Sequence, residues 1–249
     1  MQNAEMGMTE KSTRAARGTI ICDNTTMALL KANDYVAEAI RREMDRRGVL
    51  LINLTSSPGS GKTTLLQETG KRLKDVLRIK VLVGDLETER DAERLREAGI
   101  QAWQIVTGGI CHLEGQMIMQ ALENISLDDT DVLIIENVGN LVCPASFDLG
   151  EDYRVTLLAS TEGDDKPKKY PRMFFTSDLM LISKSDLLPH LPFSVDRAIQ
   201  DARDINPEIE CMTVSALTGE GVDAWCQWLI DRFEQKRRSK KNEKSYDVE

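Results

Sequence analysis

The sequence predicts an α/β fold, a mostly parallel sheet covered by helices on both faces, and two observations predict it. Short continuous apolar runs, such as those in "IKVLVGD" and "DVLIIE", read as strands buried on both faces and alternate with segments of helical period. The first such run in the chain, "GVLLINLTS", leads into the glycine-rich "SSPGSGKTT" and then into a helical stretch. That strand–loop–helix order is how a phosphate-binding loop is built.

Each element follows in order. Residues 1–25 are polar and aperiodic and are expected to be a flexible lead-in. From about Thr26 to Arg46, the residues Leu29, Leu30, Val36, Ile40 and Met44 fall on one helical face, with Gly48 just beyond as a stop. "GVLLINLTS" (48–56) reads as the first buried strand, and a helix follows its loop to about Leu77. Further strands are expected at 79–85, 102–106, 131–139, 153–160, 179–183 and 209–215, with helices at 88–98, 112–124 and 194–204. The polar "TEGDDKPKKYPRMF" (161–174) is expected to be a loop over one end of the sheet. The last helix is read from Gly221 to Glu234, with Trp225, Trp228, Leu229 and Phe233 along one face. One domain thus spans 26–236, and the basic, polar 237–249 form a tail, either a solvated helix end or a docking segment.

Composition narrows the function. A chain of 249 residues buries a substantial core as one large α/β domain. Its net charge of −9 argues against a broad nucleic-acid-binding surface. No apolar run approaches the roughly 18–20 residues of a membrane-spanning helix, and residues 1–18 lack the apolar centre of a signal peptide. A cytoplasmic protein is expected, with no membrane and no nucleic-acid partner. Cys22, Cys111, Cys143, Cys211 and Cys226 are odd in number and scattered, so reduced thiols are expected rather than a disulfide framework.

The phosphate loop carries the strongest signal. The pattern is Gly, four residues, then Gly-Lys-Ser/Thr; Gly61, Lys62 and Thr63 match it, and Ser56 stands where the first glycine is usual. Such a loop turns backbone N–H groups inward onto phosphate oxygens, which makes Gly59, Ser60, Gly61, Lys62, Thr63 and Thr64 the candidate nucleotide contacts. Lys62 would reach the β- and γ-phosphates and Thr63 would offer its hydroxyl to Mg²⁺. Asp85 and Glu136 close two strands, at the sheet end where ligands bind, and both are candidate Mg²⁺ partners. Ordinary strand-end capping is the other reading of each. Glu136-Asn137-Val138-Gly139 has the form of a switch, an acid followed by a glycine whose N–H senses a γ-phosphate.

Two later stretches select the base. "LISKSD" (181–186) resembles the Asn-Lys-x-Asp guanine signature, with Lys184 and Asp186 in place and Ser183 where Asn is usual. An aspartate accepts from the N1 and N2 protons of guanine and would repel the N1 acceptor of adenine. "SALTGEG" (215–221) supplies Ser215 and Ala216 to close the base pocket. GTP is therefore the expected nucleotide.

Cys111 and His112 are adjacent, about thirty residues before Cys143. Thiolate and imidazole are natural ligands of Zn²⁺ and Ni²⁺. Adjacent residues point apart on a strand or within a helix, so both reach one ion only at a loop or a helix start. Read alone, a buried cysteine beside a surface histidine is the plainer account. Position favours metal, because Cys143 follows Gly139 by four residues and nucleotide state could move it relative to the other two.

"NLTSSPGSGKTTLL", "VGDLETERDAERL", "GGICHLEG", "IENVGNLVCPASFDLGE", "TEGDDKPKKYPRMF", "NPEIE" and "SALTGEG" together resemble the HypB family, the hydrogenase nickel-incorporation GTPases. The resemblance runs from about Leu29 to Phe233, and "ENVGNLVCPASFDLGE" is its most specific part. It implies a slow GTPase of the signal-recognition/MinD-like class of P-loop NTPases that forms a homodimer on GTP binding. It also implies a Ni²⁺ or Zn²⁺ site of Cys111, His112 and Cys143 at the dimer interface. Lys62, Asp85 and Glu136 would carry the catalytic roles, with Thr63, Asp85 and Glu136 around Mg²⁺. The implied partners are a HypA-type maturation factor and the large subunit of [NiFe] hydrogenase. Two departures stand out: residues 1–28 hold only Cys22 and no histidine where many relatives carry a metal-binding tract, and Ser183 replaces Asn. The alternatives are a urease-accessory-type nickel GTPase, whose Cys-Pro-His motif is absent here, a metal-binding scaffold with a vestigial nucleotide site, and a small-molecule P-loop kinase, which has no use for Lys184 and Asp186.

Overall fold

The structure is a computed structural model that describes residues 24–86 and 90–246. Helix α1 (Asn24–Arg47) leads into β1 (Leu50–Ser56), α2 (Lys62–Leu73), β2 (Ile79–Asp85), α3 (Arg90–Glu97), β3 (Gln101–Val106), α4 (Gly115–Leu122) and β4 (Val132–Glu136). Then come a 3₁₀ turn (Cys143–Ser146), β5 (Tyr153–Ala159), the short helices α5 (Lys166–Lys169) and α6 (Pro171–Phe175), and β6 (Leu179–Ser183). A second 3₁₀ turn (Ser185–His190), α7 (Val195–Ile205), β7 (Glu210–Val214) and α8 (Val222–Tyr246) complete the chain.

The seven strands form one sheet in the order β3-β2-β4-β1-β5-β6-β7, and every pairing is parallel. Successive residues of β1 serve opposite faces. Leu50, Ile52 and Leu54 pack with Leu65, Leu66, Trp225 and Leu229 of α2 and α8, while Leu51 packs with Ile40 and Met44 of α1 and Ile118 of α4. A further cluster beneath β5 and β6 joins Leu158, Met180 and Ile182 to Met173, Phe174, Ala198 and Ala202. Burial on both faces is why the strands read as unbroken apolar runs. Placing β4 next to β1, with Leu54 level with Glu136, brings the end of the "VLIIE" strand beside the phosphate loop.

Strand β4 closes at Glu136, not at 139, where Asn137 Oδ1 accepts from the Val138 N–H at 2.9 Å; three further boundaries also move, each for a physical reason. Helix α4 starts at Gly115, not at 112, so Cys111 and His112 sit in the loop before it. Gly108 and Gly109 take positive φ there, and the Gly115 N–H donates to the Asn33 side chain at 2.8 Å, which fixes the helix start. The stretch 161–174 is not a plain loop: α5 and α6 fold within it because Met173 and Phe174 are fully buried. The tail expected from 237 continues α8 as far as Tyr246. Lys236 reaches Asp152 at 2.7 Å and Asp45 at 2.9 Å, and the Lys240 ammonium donates to the Arg46 carbonyl at 2.7 Å, so α8 is fastened to the end of α1. The expected flexible lead-in lies outside the described residues except for Asn24 and Thr25, which begin α1. Among the described residues no helix is long and apolar enough to cross a membrane.

Candidate nucleotide and metal site

The phosphate loop leaves the carboxyl end of β1 and closes onto α2. Gly59 and Gly61 hold φ of 70° and 93°, the left-handed region that lets the backbone fold tightly over the helix start. The Lys62 ammonium donates to the Ser56 hydroxyl at 2.8 Å, and that hydroxyl donates on to the Ser57 carbonyl at 2.6 Å. Serine in the place of the usual glycine thus gives the lysine a partner. Burial pushes the Lys62 pKa down, and Glu136, Asp91, Glu162 and Asp85 pull it back up.

Glu136 stands at the end of β4 with 3% of its surface exposed. Its Oε1 accepts from the Thr63 hydroxyl at 2.7 Å, while Oε2 is buried with no hydrogen-bond partner among the described residues. Burial raises its pKa to about 7, against the pull of Lys62 and Thr63. A hydroxyl and an under-satisfied buried carboxylate side by side are the donor set a hydrated Mg²⁺ takes. Asp85 lies one strand further out, at the end of β2, and its field still reaches Lys62. Gly139 comes directly against the phosphate loop: a Cβ added there would lie 2.9 Å from both the N and the Cα of Pro58. Thr64, in the first turn of α2, accepts from the Arg94 guanidinium at 3.3 Å.

The residues expected to read the base also converge. Lys184 takes a left-handed φ of 56°, unusual for a side chain with a Cβ, and the Lys184 carbonyl is held by the Ser160 hydroxyl at 2.7 Å. Asp186 accepts from the Ser215 hydroxyl at 2.6 Å, which joins the two expected base motifs, with Ala216 following. Ser183 is buried and donates to the Ser60 carbonyl at 2.7 Å, so the residue in the Asn position ties the base segment to the phosphate loop.

At the same sheet end, Cys111, His112 and Cys143 bring their ligand atoms within 4.8 Å of one another. The two Sγ atoms are 3.1 Å apart, and Cys111 Sγ lies 4.0 Å from His112 Nδ1. The thiol of Cys111 and burial raise the Cys143 pKa, with a hydrogen bond from Asn140 opposing them. The His112 ring rests against Phe147 at 4.1 Å, and its Nε2 faces Glu114 at 3.3 Å. Nε2 is buried with no hydrogen-bond partner among the described residues, and Nδ1 is turned toward the Cys111 thiol. These three donors fit a soft divalent ion with at least one coordination position open.

The nucleotide-binding domain of the CobW/HypB/UreG family matches residues 50–213. The hydrogenase maturation factor HypB of Escherichia coli strain K12 is 54% identical over 201 residues, covering 81% of this chain and 69% of that protein. The chain belongs to the HypB family. Among other HypB proteins, the hydrogenase/urease maturation factor of Helicobacter hepaticus is 43% identical, covering 84% of this chain and 86% of its own length. A crystal structure of HypB from Helicobacter pylori in complex with nickel superposes with a TM-score of 0.79 at 39% identity, covering 82% of this chain and 96% of that one.

Some residues of the site escaped the sequence reading. Glu162 accepts from the hydroxyls of Ser57 at 2.6 Å and Ser60 at 3.0 Å, bracing the phosphate loop from beyond β5. Glu114 backs His112, and Asn137 and Asn140 reach across to the metal loop. The available signals were slight: an acid two residues past a strand end, and asparagines interrupting apolar strands at Asn53 and Asn137.

Proposed function

We propose that this chain is a slow GTPase whose nucleotide state governs a Cys/His metal site, and that it serves nickel insertion into [NiFe] hydrogenase. One observation carries the reading: the segment leaving Glu136 passes Gly139 against the phosphate loop and ends at Cys143 beside Cys111. In this reading Gly59 through Thr64 cradle the phosphates, Lys62 bears on the β- and γ-phosphates, and Lys184, Asp186, Ser215 and Ala216 hold guanine. Bound Mg²⁺ supplies charge neutralisation at the phosphates; Thr63 would hold it, with Glu136 and Asp85 acting directly or through water. Leaving of the γ-phosphate frees residues 136–143 and loosens the grip of Cys143.

The metal is cargo, Ni²⁺ in delivery with Zn²⁺ as the competing ion of the same donor set. Three ligands leave the site open for transfer or for completion by a second copy. Homodimerisation on GTP binding is supported by the exposed Ile110 and Val142, each next to a metal-ligating cysteine, and by Val106 at the neighbouring strand end. A HypA-type factor and the hydrogenase large subunit are the proposed partners, and the cytoplasm the proposed compartment.

The test combines turnover with metal binding. Single-turnover assays should show GTP hydrolysis, and sedimentation should show a dimer with a non-hydrolysable GTP analogue but not with GDP. Cys111→Ala and Cys143→Ala should each abolish Ni²⁺ binding at the site while GTP affinity stays largely intact. Loss of GTP binding in both variants would instead give the thiols a structural role.

A further inference from the structure

The backbone on the two sides of His112 is held from the switch side by two asparagines that differ in kind. After the ligand pair, the Leu113 N–H donates to Asn137 Oδ1 at 3.3 Å. Asn137 is itself fixed: it is buried, its Nδ2 donates to Asn53 Oδ1 in the middle of β1 at 3.2 Å, and its N–H donates to the Leu54 carbonyl at 2.9 Å. Asn53 is anchored in turn on Glu151 at 3.0 Å. At the ligand pair, Asn140 Nδ2 donates to the Cys111 carbonyl at 3.2 Å. Asn140 is only half-buried, and its Oδ1 accepts from the Val142 N–H at 2.8 Å, inside the switch segment that carries Cys143.

Between the two asparagines lies Gly139, the residue with no room for a side chain against Pro58 of the phosphate loop. Asn137 is thus tied to the sheet, whereas Asn140 is tied only to the switch segment and to Cys111. The ligand-bearing peptide is pinned at one end and pulled at the other. We infer that Asn140 is the positioning residue that carries nucleotide state to Cys111 and His112, so that the switch acts on all three ligands and not on Cys143 alone. This rests on the proposed coupling of GTP to the metal site. It adds a specific link: the amide of Asn140, which also acts on the Cys143 thiol, donating to the carbonyl of Cys111 and so joining the ligands on the two loops. Its donor is the part that matters, because a carbonyl can be pulled only by a group that donates to it.

The experiment measures Ni²⁺ affinity of the full chain by competition with a chelating dye, with Mg²⁺–GDP and with a Mg²⁺–GTP analogue, and takes the ratio of the two. Asn140→Ala removes the link, and Asn140→Asp keeps the size and the acceptor for Val142 but cannot donate when ionised. The native chain is expected to show a ratio of about 5-fold or more, in the range of ordinary allosteric coupling. Both variants should bring it to within about twofold of unity while GDP affinity and melting temperature hold, showing that the fold and nucleotide pocket survive. If either folded variant keeps the native ratio, Asn140 is not the link. A native ratio of one overturns the coupling itself, a failure distinguished by appearing before any substitution. If Asn140→Ala does not fold, Asn140→Asp decides alone.

Discussion

Glu136 gives up its water on folding, and its one partnered oxygen and the nearby Lys62 do not make up the loss, so its pKa rises to about 7. An acid raised in the folded state binds its proton there at pH values where the unfolded chain has already released it. Stability of the nucleotide-free protein therefore falls as pH climbs from about 4.5 toward 7, and the full cost is present above that. Glu136→Gln should remove the cost, raising unfolding free energy at pH 8 by ~3 kcal/mol with the gain fading toward pH 5. Urea titrations at the two pH values check this; an equal gain at both would mean Glu136 carries no such shift. The residues legible from sequence were those whose chemistry sits in one short stretch, such as Lys62-Thr63 or Lys184 with Asp186. Glu162 and Asn140 were not, because each works on a partner far away in sequence that only the fold brings near.

At the scale of elements, two strands were read to the residue, while the strand expected at 131–139 ends at Glu136 and several helix ends lie elsewhere. Strands β2 and β6 match the expected 79–85 and 179–183 because polar or turn-forming residues break an apolar run abruptly. Helices have softer limits. The start of α4 depends on Asn33 of another helix, the length of α8 on Asp45 and Asp152, and the existence of α6 on two side chains entering the core. The segment after β4 is the proposed switch, and its fit against Pro58 makes a direct prediction. Gly139→Ala places a methyl within 2.9 Å of backbone that has no freedom to swing aside. The loop must shift, so single-turnover hydrolysis should drop by tenfold or more, with a stability loss of about 1–3 kcal/mol. Unchanged turnover in that variant would mean that Gly139 does not need to approach the phosphate loop.

Across the whole molecule the sheet separates two jobs. The residues expected to hold nucleotide and metal gather at the carboxyl ends of the strands, where the parallel α/β arrangement alone led the sequence reading to expect a ligand. The opposite end is a fastening, where Lys236 sits between Asp152 and Asp45 and Asp152 also accepts from the Leu51 N–H at 2.8 Å. Lys236→Ala leaves two carboxylates facing each other without their cation and should cost about 2–3 kcal/mol in denaturant unfolding. GTP affinity should not change, since the full length of β1 lies between the fastening and the phosphate loop; a weakened affinity would show that the two ends communicate.

The brace of Glu162 and Ser183 on the phosphate loop has a consequence for how nucleotide arrives. With Ser57 and Ser60 tied down and Lys62 resting on Ser56, the cradle is held by hydrogen bonds of the chain itself. The entropy of ordering that loop is lost once, during folding, and not again at each encounter. Capture then amounts to handing one ammonium from a serine hydroxyl to a phosphate, so association should run as a single fast step and dissociation should set how long each nucleotide stays.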